Sequence, residues 1–362
     1  MTPTDQERRA VRWLTVPTRF DLDEADIAAL LDGEPHYRTR QLHDGLFSGA
    51  EPEDITVLPK ALRGRLAVEP NLRPGLQPVL EVVSRDGSTV RWLWEIEGGH
   101  RVETVLMHYP GRTTVCVSSQ AGCAMGCGFC ATGQLGFERH LTPGEIIEQV
   151  VRARARAAEG GRRLGNVVFM GMGEPFASYD RVWAAVEVIH RDLHLSARHL
   201  TLSTVGLVPG IRRLASEALP VNLAVSLHAA DDELRDRLVP INRRYPLAVL
   251  LEACAEYVSA SGRRLSFEWA LIAGDNDTDD QADKLAPIAR ELRAHVNLIP
   301  LNPTPGHPTP GSSPARVRAF RDRLVAAGVN ATIRQNRGTD IDAACGQLRA
   351  STAGVPVALR AR

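Results

Sequence analysis

Cys123-Ala124-Met125-Gly126-Cys127-Gly128-Phe129-Cys130 places three cysteines within one short loop at the spacing C-x3-C-x2-C. Three thiolates can hold three irons of a cubane iron–sulfur cluster, whereas a cluster used only for electron transfer takes four cysteines. The remaining iron would be open to a small molecule that coordinates it and accepts an electron. A structural zinc site is the competing reading, and it asks for a fourth Cys or His at its own short spacing. His140 is the nearest candidate, at an unusual gap.

The cysteine loop follows an apolar run at 113–118, and from there strand, loop and helix alternate. The predicted strands are 113–118, 166–170, 199–203, 221–226, 265–271, 296–300 and 331–334. Amphipathic stretches at 143–158, 180–192, 209–218, 247–261, 278–294 and 314–327 separate them. Near-continuous apolar strands joined by crossover helices mean an α/β fold with a parallel sheet, here a full or partial (β/α) barrel. Residues 1–90 read as a small, mostly helical accessory domain, with helices expected at 23–31, 38–47 and 58–66. Alternating segments at 80–83, 89–96 and 102–107 predict a hairpin or meander, so that 91–112 forms a β connector. The barrel then occupies 113–350 and a tail 351–362. No sequence repeat of 20–50 residues is visible.

Composition narrows the function. No apolar run approaches the length of a membrane span and no apolar leader follows the charged N-terminus, so a cytoplasmic protein is expected. Six cysteines in such a chain are no disulfide scaffold, and the clustering of three argues for metal. The 43 basic residues balance 43 acidic ones, so nucleic-acid binding, if present, relies on a local patch. Candidate phosphate contacts are Arg152, Arg154, Arg156, Arg162, Arg163, Arg243, Arg244, Arg334 and Arg337. Tyr37, Arg38, Arg40 and Gln41 could grip a backbone, although such residues are more often just a helix's solvated face.

The chemistry-bearing residues fall at the C-terminal ends of predicted strands, where barrels place their ligands. Gly171-Met172-Gly173-Glu174-Pro175 lets backbone approach a ligand closely and offers one carboxylate to an amine. Ser226 and His228 lack the glycine-framed elbow of a nucleophilic serine and suit polar ligand contacts. Small residues around Cys345 leave its sulfur accessible, a candidate nucleophile. Cys116 alone reads as a small buried hydrophobe and Cys254 as helix core.

Taken together, Val117 to Gln134, Gly171 to Pro175, Leu202-Ser203-Thr204, Ser226-Leu227-His228-Ala229, Ile299 to Pro303 and Gly338 to Gln347 resemble the radical SAM RNA adenine methyltransferases. These are the dual-specificity C2 methyltransferases of the RlmN type and the related C8-methylating resistance enzymes of the Cfr type. The resemblance runs over about residues 80 to 350, in order. It implies that Cys123, Cys127 and Cys130 ligate a 4Fe–4S cluster. Gly173, Glu174, Ser203, Ser226, Leu227, His228 and Asn302 would contact S-adenosylmethionine, two molecules of which are used per turnover.

The resemblance further implies that one molecule methylates Cys345. The second would yield a 5′-deoxyadenosyl radical that takes hydrogen from that methyl, and the resulting carbon radical would add to adenine C2. A radical is apt because C2 is not nucleophilic and polar methyl transfer has nothing to attack with. Cys116 would then resolve the covalent adduct by disulfide formation with Cys345, and Glu103 would accept the C2 proton. The implied substrates are an adenine in the peptidyl-transferase loop of 23S rRNA and the adenine 3′ of the tRNA anticodon. An unstacked adenine must reach the mouth of the barrel. An external electron donor such as flavodoxin with its reductase is the implied partner, and no obligate protein subunit is evident.

Overall fold

A computed structural model describes residues 17–302, 304, 310–335, 337–343, 346–348 and 350. Three helices open it, α1 (Glu24–Leu30), α2 (Tyr37–Ser48) and α3 (Lys60–Leu66). Asp23 caps the first of them reciprocally with Asp26, and Gly49 ends the second in the left-handed conformation. Phe20 and Phe47 meet edge to face at 5.2 Å in the core beneath them.

Strands β1 (Gln77–Val83), β2 (Thr89–Ile96), β3 (His100–Tyr109) and β4 (Arg112–Cys116) form an antiparallel meander, as the alternating pattern predicts. A short hairpin of β5 (Gln120–Gly122) and β6 (Phe137–His140) then encloses the cysteine loop and α4 (Ala131–Leu135). The remaining strands are β7 (Leu164–Phe169), β8 (Leu200–Thr204), β9 (Asn222–Ser226), β10 (Leu265–Leu271), β11 (His295–Pro300) and β12 (Asn330–Ile333). Their crossovers are α5 (Pro143–Glu159), α6 (Tyr179–Arg191), α7 (Val208–Ala215), α8 (Asp232–Leu238) with α9 (Leu247–Ser261), α10 (Asp279–Glu291) and α11 (Pro314–Ala326).

Among the described residues one ten-stranded sheet holds every strand except the β5–β6 hairpin, in sequence order, with β4 and β7 to β12 parallel. Right-handed crossovers between parallel strands that never reverse their order put the crossover helices on the same face. A twisted sheet covered on one side curls round its other face, which gives a barrel segment whose interior the strands line themselves. On the opposite face, under the crossover helices, Leu223, Leu265, Phe267, Val296 and Leu298 are buried with no exposure, alternating with Ser226, Glu268, Ala270 and Ile299, which face inward.

The first three helices are tied to the barrel by polar contacts. Asp21 accepts from Gly144 N at 2.6 Å at the start of α5, where Thr142 and Glu145 form a capping box. Glu148, almost wholly buried, accepts from Gly75 N and Arg152. Some expectations shift: the strand expected at 113–118 ends at Cys116, the helix expected at 209–218 ends at Ala215, and α4, α8 and the β5–β6 hairpin lie where no element was predicted.

Candidate active site

Gly122 leads into the cysteine loop at φ +70°, and a Cβ there would lie 1.9 Å from Gly136 O, so glycine is required. Cys123 N donates to that same carbonyl at 2.7 Å, and Cys130 N donates to Cys127 O at 3.1 Å. The loop thereby folds its three thiols towards one cavity, open on one side. Ser203, Ser226, His228, Gly173, Glu174 and Cys116 line it as well.

Burial, and then the charges of Glu174 and Cys130, push the Cys123 thiol up to about 12. Burial followed by Cys130 and Cys123 raises Cys127 too. Thiols so placed stay protonated at neutral pH unless a cation takes up the charge of the thiolates, which is what iron supplies. Among the described residues no group of three or more His, Cys, Asp or Glu converges on a single ion. Thiolates that each bind a different iron of a cubane need not converge, so the donor set fits a cluster. His140 is engaged by Gln120 Nε2 at 3.0 Å and does not line the cavity, which removes the ligand the zinc reading needed.

Facing the cysteines, Gly173 has φ +102°, and a Cβ there would collide with Gln120. Glu174 follows it, buried, accepting from Phe176 N at 3.0 Å and Val205 N at 2.9 Å while its own N–H donates to Gln120 Oε1. Burial lifts its carboxyl to about 7 despite those hydrogen bonds. His228 sits at φ +60°, and its Nδ1 accepts from Ala270 N at 3.0 Å, so the proton of the neutral ring is on Nε2. Burial, with the Arg235 guanidinium second, lowers His228 to about 3, so it stays neutral. An uncharged donor, a carboxyl ready to ionise and two serine hydroxyls can together bind a polar, cationic ligand.

Leu227 and Asn302 are buried beside the cavity without lining it; Leu227 N donates to Glu268 O. Cys345 lies outside the described residues, while Ala343 and Gly346 on either side of it line the cavity. Glu103 is fully buried in β3, with its Oε2 3.2 Å from Arg91 Nη1. Cys254 is buried in α9, away from the cavity, as its helix pattern predicts.

The candidate phosphate-binding arginines separate. Arg152 pairs with Glu148, Arg154 donates to Leu193 O and Arg156 pairs with Glu81. Arg334 lines the cavity, and Arg337 lies over the Tyr109 ring.

Several organising residues escaped the sequence reading. Gln149 is fully buried and binds both Ser118 N and Ser118 O, while Ser118 Oγ bridges Glu103 O and Met172 N. Arg235, also fully buried, donates to the carbonyls of Leu227, Val205 and Ser226. The available signal for Ser118 and Gln120 was their place beside the cysteine loop; Gln149 and Arg235 sit in helices and gave none.

A curled parallel sheet carrying three cavity-facing cysteines at this spacing defines the radical SAM class, and the sequence model described as "Radical SAM superfamily" matches residues 117–286. Enzymes of this class use a 4Fe–4S cluster and S-adenosylmethionine. A "Probable dual-specificity RNA methyltransferase RlmN" of Salinispora tropica is 49% identical over 367 residues, covering 97% of this chain and 98% of that protein. The "Dual-specificity RNA methyltransferase RlmN 1" of Myxococcus xanthus is 47% identical, covering 92% and 94%. The crystal structure of a radical SAM methyltransferase from Sphaerobacter thermophilus has a TM-score of 0.88 at 50% identity, covering 92% of this chain and 100% of that one. The chain belongs to the RlmN family of radical SAM dual-specificity RNA methyltransferases. Among the described residues no helix is long and apolar enough to cross a membrane.

Proposed function

We propose that the enzyme methylates C2 of an adenine in the peptidyl-transferase loop of 23S rRNA and of the adenine 3′ of the anticodon in tRNA, acting in the cytoplasm. One observation carries the reading: a single cavity collects Cys123, Cys127, Cys130, the Gly173–Glu174 turn, Ser203, Ser226, His228 and Cys116, with both flanks of Cys345 on its wall. Bound there, the cluster and S-adenosylmethionine supply a radical able to abstract hydrogen from a methyl group.

The protein's own residues do the rest. Cys123, Cys127 and Cys130 hold the cluster. Glu174 accepts from the amine of S-adenosylmethionine, the serines and His228 hold its polar groups, and Leu227 and Asn302 support the same site. Cys345 takes a methyl group as a thiolate nucleophile and carries it to the base. Glu103 receives the C2 proton of the covalent adduct. Once the adduct has also given up one electron, returning the one spent in forming the radical, the Cys116 thiol loses its proton and bonds to the Cys345 sulfur. The carbon–sulfur bond breaks with its electron pair on the methylene carbon, and that carbon takes a proton as the methylated base leaves. Two electrons and protons from an outside donor of the flavodoxin type return the disulfide to thiols. In this scheme residues 1–90 serve as an RNA-binding accessory domain, 91–112 connect it, and 113–350 carry the chemistry.

Mass spectrometry of adenosine from RNA treated with the reconstituted enzyme tests the reading. 2-Methyladenosine is expected. 8-Methyladenosine would reassign the enzyme to the C8 chemistry of the Cfr type, and no methylated adenosine from either RNA would overturn the substrate assignment.

A further inference from the structure

Arg91, on β2, faces Val105 in β3, and Val105 faces Cys116 in β4. Directly paired residues share a face of a sheet, and so do residues two apart on one strand. Arg91, Glu103, Val105 and Cys116 therefore lie on the same face. Val105 and Cys116 line the cavity, so this face looks into the mouth of the barrel.

Glu103 has no exposure and Arg91 has 4%. A carboxyl removed from water favours its neutral acid form, and an opposite charge within hydrogen-bond reach reverses that preference. A group that is to accept a proton must first be a carboxylate. The Arg91 guanidinium lies 3.2 Å from Glu103 Oε2 and sets an opposite charge beside it. It also fixes the rotation of the carboxylate, leaving Oε1 directed towards the chain that follows Cys345, where Ala350 N donates to it at 2.9 Å.

We propose that Arg91 is a positioning residue for Glu103, holding Oε2 so that Oε1 is the oxygen presented to the C2 proton of the RNA adduct. The inference rests on the proposed function. It predicts a defect confined to the second half of the reaction, after Cys345 has been methylated and the base attached.

The test compares holoenzymes bearing Arg91→Met, Arg91→Lys, Glu103→Gln and Cys116→Ala, each incubated with S-adenosylmethionine, reductant and tRNA. Cluster content is read from absorbance, Cys345 methylation from peptide mass spectrometry, and the covalent RNA adduct from denaturing gels. Arg91→Met is expected to keep the cluster and the Cys345 methyl group while the adduct accumulates about tenfold over wild type, since a well-placed base contributes at least that much. Arg91→Lys, which keeps the charge, is expected to fall between. Adduct in Glu103→Gln but none in Arg91→Met overturns the role of Arg91 and leaves the proposed function standing. Adduct in Cys116→Ala but none in Glu103→Gln removes Glu103 as proton acceptor, and the inference falls with it. No adduct in any variant overturns the proposed function itself. Loss of cluster and Cys345 methylation together in both Arg91 variants assigns Arg91 to folding alone and overturns the positioning role.

Discussion

The backbone N–H of Ala350 donates to Glu103 Oε1 at 2.9 Å, joining the segment that carries Cys345 to the middle of β3. Ala350 does so at φ +55°, a conformation that costs a non-glycine residue about 1 kcal/mol or more. The tail is thus held against Glu103 at some backbone strain. Glu103→Asp keeps the charge but shortens the reach, and Glu103→Gln keeps the reach but loses the charge. Each is expected to slow product release on the order of a hundredfold, as removal of a placed base does, without slowing methylation of Cys345. Turnover of the Asp variant at the wild-type rate would show that reach is irrelevant.

The thiols at 123 and 127 give a second expectation. Because burial, and after it the charges of Cys130 and Glu174, keep them protonated, cluster-free protein should be alkylated slowly at both positions at neutral pH, and cluster assembly should release protons. Assembly should therefore weaken as pH falls. Cys127→Ser should remove the cluster absorbance, while Cys254→Ala, a change in the core of α9, should leave it intact. Rapid alkylation of Cys123 at pH 7 would contradict the burial argument.

Glu174 supplies a pH signature. Its folded carboxyl is raised to about 7, above the ordinary value of 4.5, by burial. A carboxyl raised in the folded state contributes stability that is full below its unfolded value and is lost as pH rises through the folded one. Cluster-free wild type should lose roughly 3 kcal/mol relative to Glu174→Gln between about pH 4.5 and 7, at 1.36 kcal/mol per unit. Urea unfolding at the two ends of that range measures it. An equal stability difference at both ends would mean that Glu174 is not the buried acid the fold makes it.

Much of this site was legible in the sequence because its signals are local. A C-x3-C-x2-C loop after an apolar strand, and small or polar residues at successive strand ends, already point to one mouth. The meander was legible for the same reason, since β2 matches its predicted limits at Thr89 and Ile96. What escaped depends on pairing across the chain. Nothing within Asp232-Glu233-Leu234-Arg235-Asp236-Arg237-Leu238 marks Arg235 as buried, yet it is fully buried because carbonyls at the ends of β8 and β9 surround it. Cys116 read alone is a small hydrophobe; only the β3–β4 register shows that it shares a face with Glu103. Gln149 looks like any helix polar residue until Ser118 is brought against it.

Arg235 carries the last prediction. Its guanidinium donates to Leu227 O at 3.0 Å, Val205 O at 2.6 Å, Ser226 O at 3.3 Å and Asn242 Oδ1 at 2.8 Å. It thereby spans the ends of β8 and β9, the strands that bring Ser203 and Ser226 to the cavity. Burial lowers its own pKa only to about 10, so it remains charged at neutral pH. Arg235→Met would keep much of the volume and leave buried carbonyls without their donor, at about 1–3 kcal/mol for each. Arg235→Lys would keep the charge but present a compact ammonium that cannot reproduce the planar fork. Both variants should lower the unfolding midpoint. The strand ends, no longer tied together, should bind S-adenosylmethionine about tenfold more weakly, equivalent to about 1.4 kcal/mol. Equilibrium binding to the cluster-loaded protein measures this, alongside a Leu46→Ala control that destabilises the core of the first helices, away from the cavity. If both variants bound S-adenosylmethionine as tightly as wild type, Arg235 would be a stabilising residue with no part in shaping the site.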